Sequence, residues 1–271
     1  MTSIKIVIVL YNKKIVDSAS INSILKQKYS KDNICVSLSI HDNSPLAMIN
    51  DNELSEIGRE LKVSYIHDGN NNGLNVIYEA EFKNFDSDYI LILDDDTSLP
   101  YDYLDKFHQA QQEFGTKSIF VPKVIVFDKL VSPYKSWLFF SRAIRDLVHG
   151  TCKNIYAINS GVFLPNIKEI KNYSYPPYVS FYGTDTVLFE YVHSADIPVV
   201  VMDSRIQHEL SFHPKGNSEQ YHRALFNVVR FWKSHYGKNI FHLIILYAYL
   251  FYLSFRESVK NKKLINFMAK I

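Results

Sequence analysis

The residues best suited to chemistry are three consecutive carboxylates, Asp94, Asp95 and Asp96, in the stretch "YILILDDDTSLP". They end an apolar, strand-like run, and Asp is a poor strand former whose like charges repel. Adjacent acids in that position suit a hard divalent cation, which takes oxygen ligands and bridges to phosphates. A cation held there would neutralise a diphosphate as it departs. The same triplet also suits a solvated turn or a helix cap. A calcium loop of the helical type is disfavoured, because "DDDTSLP" lacks alternating ligands and the central Gly.

Other polar turns share the position of these acids. "IKIVIVLY" is β-branched throughout and reads as a fully buried strand; "VDSASINSILKQ" follows with Ala19, Ile21, Ile24 and Leu25 at helical spacing. "ICVSLSIHDNSP" gives a second strand, "ELSEIGREL" a short helix and "KVSYIHD" a third strand. "GNNNGLNVIYEAEF" is then a turn feeding a helix. This alternation implies right-handed crossovers and an α/β fold whose mostly parallel sheet carries helices on both faces. Ligands of such sheets bind beyond the strand carboxyl ends. Tyr11-Asn12, Asp42-Asn43-Ser44, Asn71-Asn72-Gly73 and the acids at 94–96 should therefore line one edge. Past residue 99, "KSIFVPKVIVF" gives one or two strands, "SWLFFSRAIRDLVHG" a loop and helix, and "IYAINSGVFLP" a strand carrying a turn. "FYGTDTVLFEYVHSAD" starts a helix at Thr184 or Asp185, "IPVVVMDSRIQHE" is a strand, and the chain is helical from about Asn217.

These landmarks, in this order, resemble the family 2 glycosyltransferases over roughly residues 4–235. The resemblance rests on "IVIVLYN", "IHDNSP", "NNNGLN", "LILDDDTSLP", "INSGVFLP", "FYGTDTVLFEY" and "IQHELS". It implies the GT-A fold, a nucleotide-sugar donor and Mn²⁺ or Mg²⁺. On this likeness Asp96 is the principal metal ligand, Asp94 binds the metal or the donor ribose, and Asp95 supports them. His208 completes the coordination, with His213 as its competitor, and imidazole beside carboxylates is a sound ligand set. Asp42 resembles the acid that accepts the imide N–H of uracil or thymine; alone, it also fits an Asx turn ahead of Pro45. Tyr11 would stack on the base, and Asn71, Gly73 and Asn75 would flank the nucleotide.

In "FYGTDTVLFEY" Thr184 stands where the family has the first of two acids, which leaves Asp185 as the base that deprotonates the acceptor hydroxyl. At a helix N-terminus its anion is stabilised without a gain in basicity, and the residue would also serve as a cap. Asn159, Ser160 and Gly161 match the loop beside the donor sugar and acceptor. Phe226 replaces an expected Arg next to Asn227, which moves that Arg's role to Arg223 or Arg230 or removes it.

The bulk numbers set the remaining bounds. The 271 residues, 47% hydrophobic and 21% charged, suit one large globular unit, and 19 Tyr with 18 Phe supply many rings. The expected organisation is a GT-A domain over 1–215, with a nucleotide-binding half (1–98) and an acceptor half (99–215), followed by a helical extension over 216–271. Cys35 and Cys152 show no metal spacing, and Cys35 reads as a buried thiol. The N-terminal apolar run is too short for a signal peptide, so a reducing cytoplasm is the expected compartment.

From Arg230 to the end the chain carries +7, leaving −5 for the rest. Inside that basic stretch, the apolar run Ile240–Leu253 would be about 21 Å long as a helix, against a hydrocarbon core of about 30 Å. It reads as a buried core helix or as a helix in an inner-membrane interface flanked by cations, with residues 240–271 making the contact. Nucleic-acid binding is not expected, because the cations follow a greasy tail and not an aromatic sheet face. The implied activity is inverting transfer from a UDP- or dTDP-sugar to a glycan or lipid-linked acceptor in bacterial surface-polysaccharide synthesis. The competing reading is a non-catalytic carbohydrate- or partner-binding protein on the same scaffold. A nucleotidyltransferase is disfavoured, because no Gly-rich, basic phosphate loop follows the first strand.

Overall fold

The computed structural model describes residues 1–49, 51–144, 148–208 and 218–268. In the first part β1 (Thr2–Leu10), α1 (Ala19–Leu25), β2 (Ile34–Asp42), α2 (Asp51–Glu60), β3 (Lys62–His67), α3 (Leu74–Asn84) and β4 (Tyr89–Asp94) alternate as their sequence patterns require. Then come α4 (Tyr103–Phe114), β5 (Ile119–Val126), β6 (Lys129–Ser132), β7 (Tyr134–Trp137), β8 (Phe140–Ala143), β9 (Gly150–Cys152) and β10 (Val162–Pro165). The chain continues through α5 (Lys168–Lys171), α6 (Thr184–Ser194), β11 (Val199–Gln207), α7 (Ser218–Tyr236) and α8 (Ile240–Asn261).

Among the described residues, nine strands form one sheet in the order β3-β2-β1-β4-β10-β5-β11-β9, with β6 paired to β5. β10, β6 and β9 run antiparallel to their neighbours, and the other six strands are parallel. The central strands are apolar on both faces because both are covered. Ile4, Ile6 and Ile8 of β1, with Tyr89, Leu91 and Leu93 of β4, pack against α1, α2 and α4. Val7, Ile90 and Ile92 face the other way, onto α3, α5 and α6. A third cluster joins α7, α8 and Phe139 through Leu225, Val229, Leu246, Leu250 and Leu253.

Two expectations are corrected. Residues 134–143 of "SWLFFSRAIRDLVHG" and its lead-in form the β7–β8 hairpin and not a loop with a helix; residues 145–147 lie outside the described residues. Aromatics favour a pleated surface, and here they find ring partners in α7 and α8, with Phe139 5.3 Å from Trp232 and 5.1 Å from Tyr249 between centroids. Cys35 is exposed: it alternates with buried Ile34 and Val36 at the start of β2 and so points away from the core.

One charge network is buried beneath the sheet. Glu81 of α3 meets Lys5 Nζ at 2.5 Å and His41 Nε2 at 2.7 Å, and accepts a hydrogen bond from Ser39 at 2.8 Å. Burial alone would raise its pKa, but the contacts from His41, Lys5 and Ser39 outweigh that and hold it down at about 2. Because the folded value is depressed, the stabilisation is complete above about pH 4.5 and fades as pH falls toward 2. Glu81→Ala should cost about 3 kcal/mol at neutral pH by stranding Lys5, and the difference from wild type in urea melts should shrink toward pH 2.

Candidate active site

Strand register brings the polar turns together. Leu10 pairs with Asp42 across β1–β2, Val9 with Asp94 across β1–β4, and Asp42 with His67 across β2–β3, so four strand ends lie level. An antiparallel bridge between Ser98 and Gln207 brings the end of β11 to the same edge, with Ser98 N–H donating to Gln207 at 2.9 Å and Gln207 N–H to Ser98 at 3.1 Å. That bridge delivers His208.

The acid turn is held from beneath by hydroxyls. Ser20 Oγ donates to the Asp94 carbonyl and receives Thr97 N–H at 3.1 Å. Ser160 Oγ accepts Asp94 N–H at 2.9 Å and bonds Thr97 Oγ1 at 2.6 Å. Thr97 Oγ1 also lies 3.0 Å from His208 Nδ1, which orients the ring. His208 Nδ1 is 3.0 Å from Asp96 Oδ1, and its Nε2 is 3.5 Å from Asp94 Oδ2. Asp94, Asp96 and His208 each offer a ligand atom within 4.8 Å of the others, a group that could hold a metal ion. The donor set fits: two carboxylates and an imidazole, converging from the end of β4 and the end of β11, suit a divalent first-row ion. Asp95 stands apart, tied to Lys13 at 2.7 Å. His213, the competing ligand, lies outside the described residues.

The crowding shifts these groups. Desolvation, reinforced by Asp96, Asp95 and Asp185 and opposed by His208, raises Asp94 to about 6. Burial by itself would lower His208, yet the hydrogen bond to Asp96 and the acid charges outweigh it and raise it. Asp185 sits in the first turn of α6, where its Oδ1 accepts Thr186 N–H at 2.8 Å. Desolvation nevertheless raises its pKa against the lowering effect of those bonds. The structure thus supplies the basicity that the helix N-terminus alone does not.

A cavity of about 960 Å³ runs from Tyr11, Asn43 and Asn71 over Asp94, Asp95, Asp96 and His208 to Asp185. Its far end is aromatic, built from Tyr134, Phe139, Phe181, Phe231, Trp232 and Tyr236. Tyr11 is half exposed, its ring open to a ligand. Asp42 is placed differently: 2% exposed, it accepts Ser44 N–H at 3.0 Å, Met48 N–H at 2.9 Å and Tyr65 O–H at 2.5 Å. Those hydrogen bonds lower its pKa against the desolvation that would raise it. It forms the Asx turn and does not line the cavity. Asn43, its neighbour, does, with Nδ2 donating to the Asn72 carbonyl at 2.8 Å.

Three of the expected site residues are tightly packed. Ser160 is fully buried beneath the acid turn. A Cβ on Gly161 (φ +89°) would lie 2.7 Å from Ile206 and 2.8 Å from Pro122, and one on Gly73 would lie 2.5 Å from Ser180 Oγ. Asn159 lines the cavity and donates to Thr184 Oγ1 at 3.1 Å, so Thr184 fills the missing acid's place with a neutral acceptor. Phe226 packs on Phe267 at 4.7 Å, and Asn227 lines the cavity while Arg223 and Arg230 do not. Sequence reasoning missed Lys13 and the aromatic end. The abundance of rings was the available signal, but their spacing did not locate them.

A central parallel sheet between helices, with acids and a histidine at its carboxyl edge, defines a GT-A fold. The chain belongs to the family described as "Glycosyl transferase family 2", whose model matches residues 5–171. That match ends before Asp185 and His208, which join the site through tertiary structure. No curated protein matches the sequence. Among solved structures, TarS of S. aureus superposes with TM-score 0.56 at 14% identity, covering 84% of this chain and 39% of TarS. A complex of S. aureus TarS 1-349 with UDP-GlcNAc gives 0.56 at 12% identity, covering 84% and 65%. GalNAc-T7 with UDP, GalNAc and Mn²⁺ gives 0.60 at 11% identity, covering 84% and 48%. This chain therefore spans less than two thirds of each of these proteins, and at such identities the likeness is one of fold.

Gly161→Ala should lower stability by about 1–3 kcal/mol, through its left-handed φ and the contacts with Ile206 and Pro122. Nucleotide affinity, measured calorimetrically where both proteins remain folded, should be unchanged; a selective loss of affinity would make Gly161 a ligand contact.

Proposed function

We propose that the protein is an inverting, metal-dependent glycosyltransferase. It moves a sugar from a UDP- or dTDP-linked donor to a glycan or lipid-linked acceptor in bacterial surface-polysaccharide synthesis, on the cytoplasmic side of the inner membrane. The observation that carries this reading is the meeting of Asp94, Asp96 and His208, with ligand atoms within 4.8 Å, in one cavity with the half-buried carboxylate of Asp185. The complexes of TarS with UDP-GlcNAc and of GalNAc-T7 with UDP and Mn²⁺ support a nucleotide-sugar donor and a divalent ion.

In this reading Asp94, Asp96 and His208 hold Mn²⁺ or Mg²⁺, which when bound offsets the charge growing on the leaving diphosphate. Tyr11 stacks on the base, and Asn43 and Asn71 flank it. Asp42 holds the turn that presents Asn43. Asp185 accepts the proton of the acceptor hydroxyl as that oxygen bonds to the anomeric carbon from the face opposite the diphosphate. The carbon–oxygen bond to the diphosphate breaks in the same displacement, and the nucleoside diphosphate leaves with its electron pair. A neutral Thr184 beside Asn159 adds no second charge next to the base, so desolvation outweighs the hydrogen bonds that would lower its pKa. The domain over 1–215 carries the donor site, and α7 of the 216–271 extension walls the acceptor end. α8 has 22 residues, enough in length and composition to cross a membrane, yet its Leu246–Leu250–Leu253 stripe packs inward against α7. We assign residues 240–271 to lying on the inner membrane surface.

Incubation with a panel of UDP- and dTDP-sugars and Mn²⁺ or Mg²⁺ should release nucleotide from one of them; release from none would refute the reading. Asp96→Ala should abolish release. Asp185→Asn should lower kcat by about 10²–10⁴-fold while leaving UDP affinity intact. In wild type at saturating metal, kcat should fall with acidification, with a midpoint above the ordinary aspartate range, and the share of that acid limb due to Asp185 should be lost in Asp185→Asn.

A further inference from the structure

The side of α8 turned away from α7 carries Phe241, Ile244, Phe251, Tyr252, Phe255 and Val259, all exposed. At 3.6 residues per turn these fall on one broad face, which contains no charged residue. Lys238 precedes the helix, Arg256 and Lys260 border the face, and Lys262 and Lys263 follow. Contiguous apolar faces of this size are rare on monomers and mark a contact surface.

The β7–β8 hairpin continues that surface. Its register sets Lys135 opposite Arg142 and Trp137 opposite Phe140, and all four side chains are exposed, so they share one face. Trp137 and Phe140 stack at the turn (5.9 Å, 12°), with Trp137 63% exposed. The two cations sit one step behind, and neither has an ion-pair partner among the described residues. Like charges directly opposite across a strand pair are unfavourable, and an anion between them removes that cost. Rings connect the hairpin to α8: Phe140 lies 5.0 Å from Tyr249, Tyr249 6.3 Å from Tyr252, and the Arg256 guanidinium 6.0 Å from the Tyr252 ring.

We propose that the β7–β8 hairpin is a second membrane-docking element, remote in sequence from α8, that seats Trp137 and Phe140 in the interface of an anionic bilayer with Lys135 and Arg142 on lipid phosphates. This rests on the assignment of α8 to the membrane surface. An amphipathic indole backed by cations is the chemistry of the headgroup region. A second copy of the chain fits poorly, because a two-fold contact places a patch against itself and would bring these cations face to face without an acid between them.

The docking carries a consequence for the acceptor. Leu138 and Phe139, the residues between Trp137 and Phe140, line the aromatic end of the cavity. One hairpin tip thus has an outer side on the bilayer and an inner side on the active site. The acceptor that suits this placement is an amphiphile whose sugar enters the cavity while its apolar chain stays in the membrane.

The test uses the two tryptophans, Trp137 and Trp232, as reporters with phosphatidylglycerol-containing vesicles. Wild-type emission should shift to the blue and be quenched by brominated lipid, and Trp137→Phe should lose that quenching while still binding vesicles. Lys135→Glu and Arg142→Glu should each weaken partitioning by about fivefold, with little binding to pure phosphatidylcholine. Vesicle-bound protein with Trp137 unquenched would overturn the proposal, as would charge reversals without effect. A blue shift in lipid-free solution accompanied by dimerisation on sedimentation would overturn it in favour of a second copy. Binding of UDP with Mn²⁺, measured on the same lipid-free proteins, stays at the wild-type level in these variants if only docking is affected. Its absence from wild type would instead strike the transferase reading.

Discussion

Mutual repulsion among three carboxylates at the end of a buried strand governs this site. β4 is fully buried up to Leu93, so the charges that follow cannot disperse into water on all sides. Each has a separate answer. Asp95 takes Lys13, while Asp94 and Asp96 share His208. Even so, Asp94 is held at about 6 by desolvation and its acidic neighbours. Removing one partner from such a group leaves an uncompensated buried charge, so the arrangement suits a cation more than an empty fold.

That repulsion explains the hydroxyls beneath the turn. Ser20, Thr97 and Ser160 contact no solvent, and their hydrogen bonds run to the Asp94 and Thr97 backbone and to His208. They fix where the carboxylates point without adding charge. Ser160 acts in this way, as a support one layer below the carboxylates. Gly73 and Gly161 act similarly, by letting segments approach closely enough for the supports to reach.

The two halves of the cavity are made by different physics. The half that carries the acids is an edge of level strand ends, polar and held by sheet register. The aromatic half is assembled from α6, α7 and the β7–β8 hairpin, whose rings pack on one another and continue to the outer surface. Asp185 lies at the junction, half-buried, where desolvation raises its pKa. The hairpin links the chemistry to the outside, since adjacent residues at its tip face the cavity and the exterior.

The alternating pattern of residues 1–96 was legible because each strand there is buried on both faces and each helix has one apolar stripe, signals that are local. The positions of Asp94, Asp96 and Asp185 followed from that pattern and from ordered motifs. Residues 134–143 were not legible: their clustered aromatics suit several local conformations, and contacts with Trp232 and Tyr249 select the hairpin. Cys35 was misplaced because an apolar run does not reveal which face a strand's first turn leaves uncovered. Within residues 1–96 the sequence alone settled which strands exist and that each ends in polar residues, because burial and turn chemistry act over a few neighbours. Only the tertiary structure brought Thr97 and His208, 111 residues apart, to 3.0 Å, for that distance depends on the Ser98–Gln207 bridge. It alone also raised the proton affinity of Asp185, since desolvation is a property of everything packed around a group and of no residue by itself.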